Sequence, residues 1–144
     1  MNPADTVPSS GHRSVPHTAD LRVEAWGATR EECLAEAVRA VVESFVDLTE
    51  ATAQTSREAE ITANSDEDLL VALLEELVYW LDTASEVPVA VDLDAMPGGV
   101  RARFRMADAD SLPVTGATPK AVTLHQLTFS RGPDGFRCSV TLDV

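Results

Sequence analysis

The chain has 144 residues, 44% of them hydrophobic, which suits one compact domain with a buried core. Its 24 acidic and 11 basic residues give a formal charge of −13 at pH 7, a field that repels a phosphate backbone, so no stable direct nucleic-acid binding is expected and docking onto a more basic protein suits the charge better than RNA contact through a local basic patch. No apolar run approaches the ~20 residues of a membrane span and no basic-then-apolar leader is visible, so a cytoplasmic protein with no membrane partner is expected.

Residues 1–15 hold Pro3, Pro8, Ser9, Ser10 and Gly11 and little to bury, so they are expected to form a flexible N-terminal segment, leaving 16–144 as a single domain. His17, Thr18 and Asp20 then precede an alternation of Leu21, Val23 and Ala25 with Arg22 and Glu24, the pattern of a half-buried strand. Thr29 with Glu32 makes a capping-box pair, and Cys33, Ala37, Val41 and Phe45 to Leu48 keep helical spacing. Ala59, Ile61 and Ala63 mark a weaker strand over 57–65.

The strongest element follows. Ser65 with Asp68 caps a helix whose Leu69, Leu70, Leu73, Leu74, Leu77, Val78 and Leu81 share one side, with Glu75 and Glu76 opposite. Two strands over 87–107 turn around Pro97, Gly98 and Gly99. Arg101, Arg103 and Arg105 share a face of the second, a row that suits phosphate or an acidic partner but reads more simply as a solvated strand face. A long turn-rich loop, 108–119, either carries function or wraps an edge, and a last hairpin joins "KAVTLHQLTFS" to "FRCSVTLDV" through "RGPDG". This order predicts an α+β fold, two helices packed on one face of a largely antiparallel sheet.

In the last strand Phe136, Cys138, Val140, Leu142 and Val144 point one way, while Arg137, Ser139, Thr141 and Asp143 point the other. Cys33 and Cys138, each on an apolar side, read as small core residues rather than as a disulfide or thiolate site. If Asp143, an oxygen of Val144 and Asp20 meet in space, they form an all-oxygen site suited to Ca²⁺, Mg²⁺ or Mn²⁺, although aspartates at strand ends are more often solvated or turn residues. His17 and His125 are each open to roles as ligand, proton carrier or hydrogen-bonded structural residue, and Lys120 after Pro119 reads as solvent-facing. The sequence has no glycine-rich phosphate loop, G-x-S-x-G, H-E-x-x-H or paired C-x-x-C, so an autonomous enzyme lacks its usual signatures.

Three segments, "HTADLRVEAWG", "LLVALLEELVYWLD" and "PKAVTLHQL" with the terminal "TLDV", together resemble the archease family over 17–144. The resemblance implies an archease-like two-layer fold and a non-catalytic protein cofactor of the RtcB-type RNA ligase in tRNA splicing and RNA repair. It implies promotion of the GTP- and Mn²⁺-dependent guanylylation of that ligase and of its repeated turnover. It assigns Asp20, Asp143 and a main-chain or terminal oxygen of Val144 to a divalent metal, and Lys120 to activation of the ligase. His17 and His125 match family histidines, expected at most as neighbours of the metal ligands. Leu73 and Glu75 depart from the Trp and Asn that the family tends to have, and Leu124 from a Tyr. Two other readings remain on the residues alone: a metal-dependent phosphoesterase using His17, Asp20, His125 and Asp143, and a plain acidic interaction module.

Overall fold

A computed structural model describes residues 20–144. Its elements run β1 (Asp20–Gly27), α1 (Arg30–Glu43), β2 (Thr55–Thr62), α2 (Asp66–Ala84), β3 (Glu86–Met96), β4 (Gly99–Asp108), a single 3-10 turn (Ala109–Ser111), β5 (Ala121–Gly132) and β6 (Gly135–Asp143). The residues expected to be a flexible segment, and His17, lie outside the described residues.

Both helices start where side-chain oxygens satisfy their first free N–H groups. Thr29 Oγ1 accepts from the Glu32 N–H at 3.1 Å, and Glu32 returns a carboxylate oxygen to the Ala28 N–H at 3.0 Å. Ser65 Oγ does the same for the Asp68 N–H at 3.1 Å. Helix α1 ends at Glu43, short of the expected Phe45 to Leu48, because that stretch turns aside to bond residues 113–115. Helix α2 ends on Ser85 in the left-handed region, φ 53°, where a side chain is strained and glycine is not. Ser85→Gly is therefore expected to stabilise the fold by about 0.5–1 kcal/mol, read as a rise in the urea midpoint at unchanged slope.

The expected α+β class holds: two helices and antiparallel pairing throughout. The six strands divide into two three-stranded sheets, ordered β1-β6-β5 and β2-β4-β3, rather than forming one. Helix α1 packs against β1, β6 and β3, and α2 against β5, β3 and β2, so one helical layer serves both sheets. The core is continuous across that layer. Leu69, Leu70, Leu73, Leu74 and Leu77 of α2 meet Val100, Phe104 and Met106 of β4 and Val140 and Leu142 of β6 in one buried cluster.

The turn at Pro97–Gly98 joins Met96 to Gly99, with Gly98 at φ 77°, as a Pro-Gly type II turn requires. Beyond that turn, register explains the arginine row. Arg101 stands between Glu60 and Asp94, and Arg103 between Glu58 and Asp92. Arg101 Nη2 lies 2.7 Å from a Glu60 carboxylate oxygen. Two of the three arginines thus sit in a cross-strand ladder whose carboxylates outnumber them, which gives this face no net attraction for phosphate.

Cys33 of α1 and Cys138 of β6 bring their Sγ atoms to 3.6 Å as buried free thiols. Burial, with the neighbouring sulfur adding to it, pushes the Cys138 thiol up to about 12, and burial raises Cys33 also. The folded chain therefore keeps both protons while the unfolded chain loses its own from about pH 8.5, so the two thiols' contribution to stability is constant below that pH and is lost as pH climbs toward about 12. At pH 8 a thiol-reactive dye is expected to label neither cysteine in the native protein and both in urea.

Candidate functional site: an acidic strand end beside a lysine-lined groove

Pairing register puts the separated candidates at one end of the first sheet. Asp20 opens β1 and Asp143 closes β6, and they are direct antiparallel partners. On the other side of β6, Ala121 of β5 is the partner of Asp143, and the Lys120 N–H donates to the Asp143 carbonyl oxygen at 2.8 Å. Asp20, Lys120 and Asp143 are all exposed, and Val144 is half-buried.

Strand alternation fixes the faces. Asp20, Asp143 and Ala121 point away from the helices, whereas Leu142 is buried among them. Lys120 instead lines a groove on the helix side. The strand end therefore carries carboxylates on one face and an ammonium on the other. Opposed carboxylates at cross-strand distance repel each other, and they are hard oxygen donors of the kind that Ca²⁺, Mg²⁺ and Mn²⁺ prefer. Among the described residues no group of three or more His, Cys, Asp or Glu side chains is placed to hold a metal, so an ion here would need oxygens beyond the two aspartates.

His125 does not join this rim. Thr123 pairs with Thr141 and Thr128 with Ser139, so residues 124–127 bulge opposite Val140, three positions along β6 from Asp143. His125 is exposed there, its N–H 3.3 Å from Thr123 Oγ1; Gln126 has φ 57° and accepts from the Arg22 guanidinium. Leu124 in the same bulge is 71% exposed. Of the other two departures, Leu73 is wholly buried and Glu75 lines the groove.

The groove has a volume of about 780 Å³ and was not foreseen from the sequence. One wall is α2 from Glu75 to Ser85; the other is the 108–119 loop with the start of β5. The loop is fastened at both ends. Asp47 N–H donates to the Pro113 carbonyl and Thr115 N–H to the Phe45 carbonyl, each at 2.9 Å, while Ala109 N–H donates to the Ser85 carbonyl at 2.8 Å. Gly116 lies so close to Ser44 that a Cβ would fall 2.2 Å from its carbonyl oxygen. Crossing from β4 to β5, the loop thus builds one wall of the groove.

A two-helix layer shared by two three-stranded antiparallel sheets defines an archease-type fold. It is matched by the crystal structure of an archease described as a possible chaperone from Thermotoga maritima, with a TM-score of 0.69, 21% identity, and 94% of this chain and 99% of that one covered. The solution structure of Methanobacterium thermoautotrophicum protein 1598 matches with a TM-score of 0.69 at 26% identity, covering 88% and 94%. The model of the Archease protein family (MTH1598/TM1083) matches residues 12–144. The chain is 56% identical over 136 residues to a probable protein archease of Mycobacterium tuberculosis H37Rv, covering 94% of this chain and 76% of that protein. It is 32% identical to protein archease of Methanosarcina barkeri, covering 89% and 92%. The chain belongs to the archease family. Among the described residues no helix is long and apolar enough to cross a membrane.

Proposed function

We propose that this protein is a non-catalytic activator of an RtcB-type RNA ligase, promoting the ligase's GTP- and Mn²⁺-dependent guanylylation and its multiple turnover in tRNA splicing or RNA repair. The observation that carries this reading is the convergence of Asp20, near one end of the described chain, with Lys120 and Asp143, far along it in sequence, on one exposed strand end. Family membership supports this choice of reaction, and the rim carries groups suited to it. Asp20, Asp143 and an oxygen of Val144 are the residues to hold a divalent ion, Ca²⁺, Mg²⁺ or Mn²⁺, and the ion contributes positive charge beside phosphate when bound. Lys120, held by its backbone to Asp143, presents an ammonium from the helix side, where it orients a phosphate or a carboxylate of the partner. His125 stands on its bulge, off that rim, and takes no ligand role in this reading.

The charge supports a protein partner over RNA itself. At −13 the chain is repelled by RNA and drawn to a basic RNA-binding enzyme in the cytoplasm. The arginine ladder, balanced by its own carboxylates, gives no reason to revise this. The test is RNA joining by a substoichiometric amount of the ligase from the same organism, with and without this protein. Repeated turnover only in its presence is the expected result. Unchanged turnover of an independently active ligase, or phosphoester hydrolysis by the isolated protein with Mn²⁺, would overturn the reading.

A further inference from the structure

The rim that the proposed function uses is small, two aspartates and a lysine, and gives little area for holding a partner. The groove beside it offers more. Its apolar lining includes Val46, Val78, Leu81 and Val122, and among the described residues two of the four exposed large hydrophobic side chains belong to it: Tyr79, 54% exposed, and Val114, 76% exposed. Large apolar groups left in water around one concave surface mark an interaction site. The hydrogen bonds that fix the loop wall mean that little ordering is left to be done on binding.

Charge selects the occupant. Among the described residues, Glu75, Asp82 and Asp110 line this groove with Lys120 as its one cation. A nucleotide or RNA phosphate meets three carboxylates there, and a second copy of a chain at −13 brings the same sign to the contact. An apolar side chain flanked by arginine or lysine meets an apolar lining and carboxylates of opposite sign.

We propose that this groove seats an arginine- or lysine-bearing apolar segment of the RNA ligase. The inference rests on the activator reading and adds a division of labour: the groove provides affinity, and the Asp20, Lys120 and Asp143 rim provides activation. Lys120 belongs to both, since it lines the groove and its backbone bonds Asp143.

The two roles separate in one experiment. Binding of the full-length protein to the purified ligase is measured by calorimetry, and the rate of ligase–GMP formation is measured as this protein is titrated to saturation. The double variant Asp82→Lys with Asp110→Lys is expected to raise Kd at least about tenfold while leaving the saturating rate unchanged. Asp143→Ala is expected to do the reverse, with Kd shifted less than about threefold and the rate increase lost. Wild-type binding should weaken with added salt, and the double variant should lose most of that dependence. Glu24→Lys with Asp134→Lys changes the net charge by the same amount away from the groove and should leave Kd unchanged. With benzoylphenylalanine in place of Tyr79, illumination should cross-link a ligase segment that carries arginine or lysine. Equal weakening by both charge-reversed pairs, an unchanged Kd in the groove variant, or a cross-link to a second copy would overturn the groove assignment while leaving the activator reading intact. Absence of both binding and rate increase with wild-type protein would instead overturn the activator reading, and the groove assignment with it.

Discussion

Asp143→Ala is expected to abolish the stimulation of ligase guanylylation while leaving the fold intact. Asp143 ends the central strand of the first sheet with its side chain in solvent, and its structural bond to Lys120 is made by the carbonyl oxygen, which alanine keeps. Losing the side chain removes one of two opposed carboxylates, so cross-strand repulsion with Asp20 is relieved rather than created. The thermal midpoint should therefore correspond to a change within about 0.5 kcal/mol of wild type. Asp20→Ala should behave alike, because it deletes the other half of the same donor pair. The measurement is ligase–GMP formation with saturating variant beside a melting curve of the variant alone. Retained stimulation would remove the aspartates from the mechanism, and a collapsed melting curve would make them structural.

Phe104→Ala is expected to cost about 3–5 kcal/mol, a large part of the roughly 5–15 kcal/mol that holds a domain of this size together. Phe104 is 1% exposed in β4, the central strand of the second sheet, with Arg57 and Val91 as its cross-strand partners. Among the described residues it is the largest of the fully buried side chains, and it belongs to the core cluster that contains the α2 leucines, so the vacated space has rigid walls and collapses little. Phe104→Leu, which refills most of the volume, should recover more than half of the loss. Urea unfolding of the three proteins decides it, and a loss below about 1 kcal/mol for alanine would mean that this core repacks far more freely than its burial suggests.

What was legible in the sequence is what local chemistry dictates. The Ser65–Asp68 cap and leucine spacing gave α2, the Thr29–Glu32 box gave the start of α1, and the Pro97–Gly98 turn joined β3 to β4, because each depends on residues only a few positions apart. Alternation along β6 put Asp143 on the outer face correctly. Alternation did not reveal that Ser139 and Thr141 on that same side are buried, since a central strand is shielded by its neighbours on both sides.

Features that depend on distant pairing were hidden. The division into two sheets, the carboxylates flanking Arg101 and Arg103, and the contact between Cys33 and Cys138 follow from register, which a single strand does not encode. The groove draws on residues near 45, 80, 110 and 120, so no window of sequence contains it. The bulge at 124–127 left a signal too weak to read, an apolar Leu124 where alternation calls for one more inward residue.

The activator account stands or falls on the rate of ligase–GMP formation, measured with the RNA ligase from the same organism, GTP and Mn²⁺, with and without this protein. The account predicts a clear rate increase with wild-type protein that Asp143→Ala does not give. An equal rate with and without the wild-type protein, from a ligase shown to be active, would contradict it.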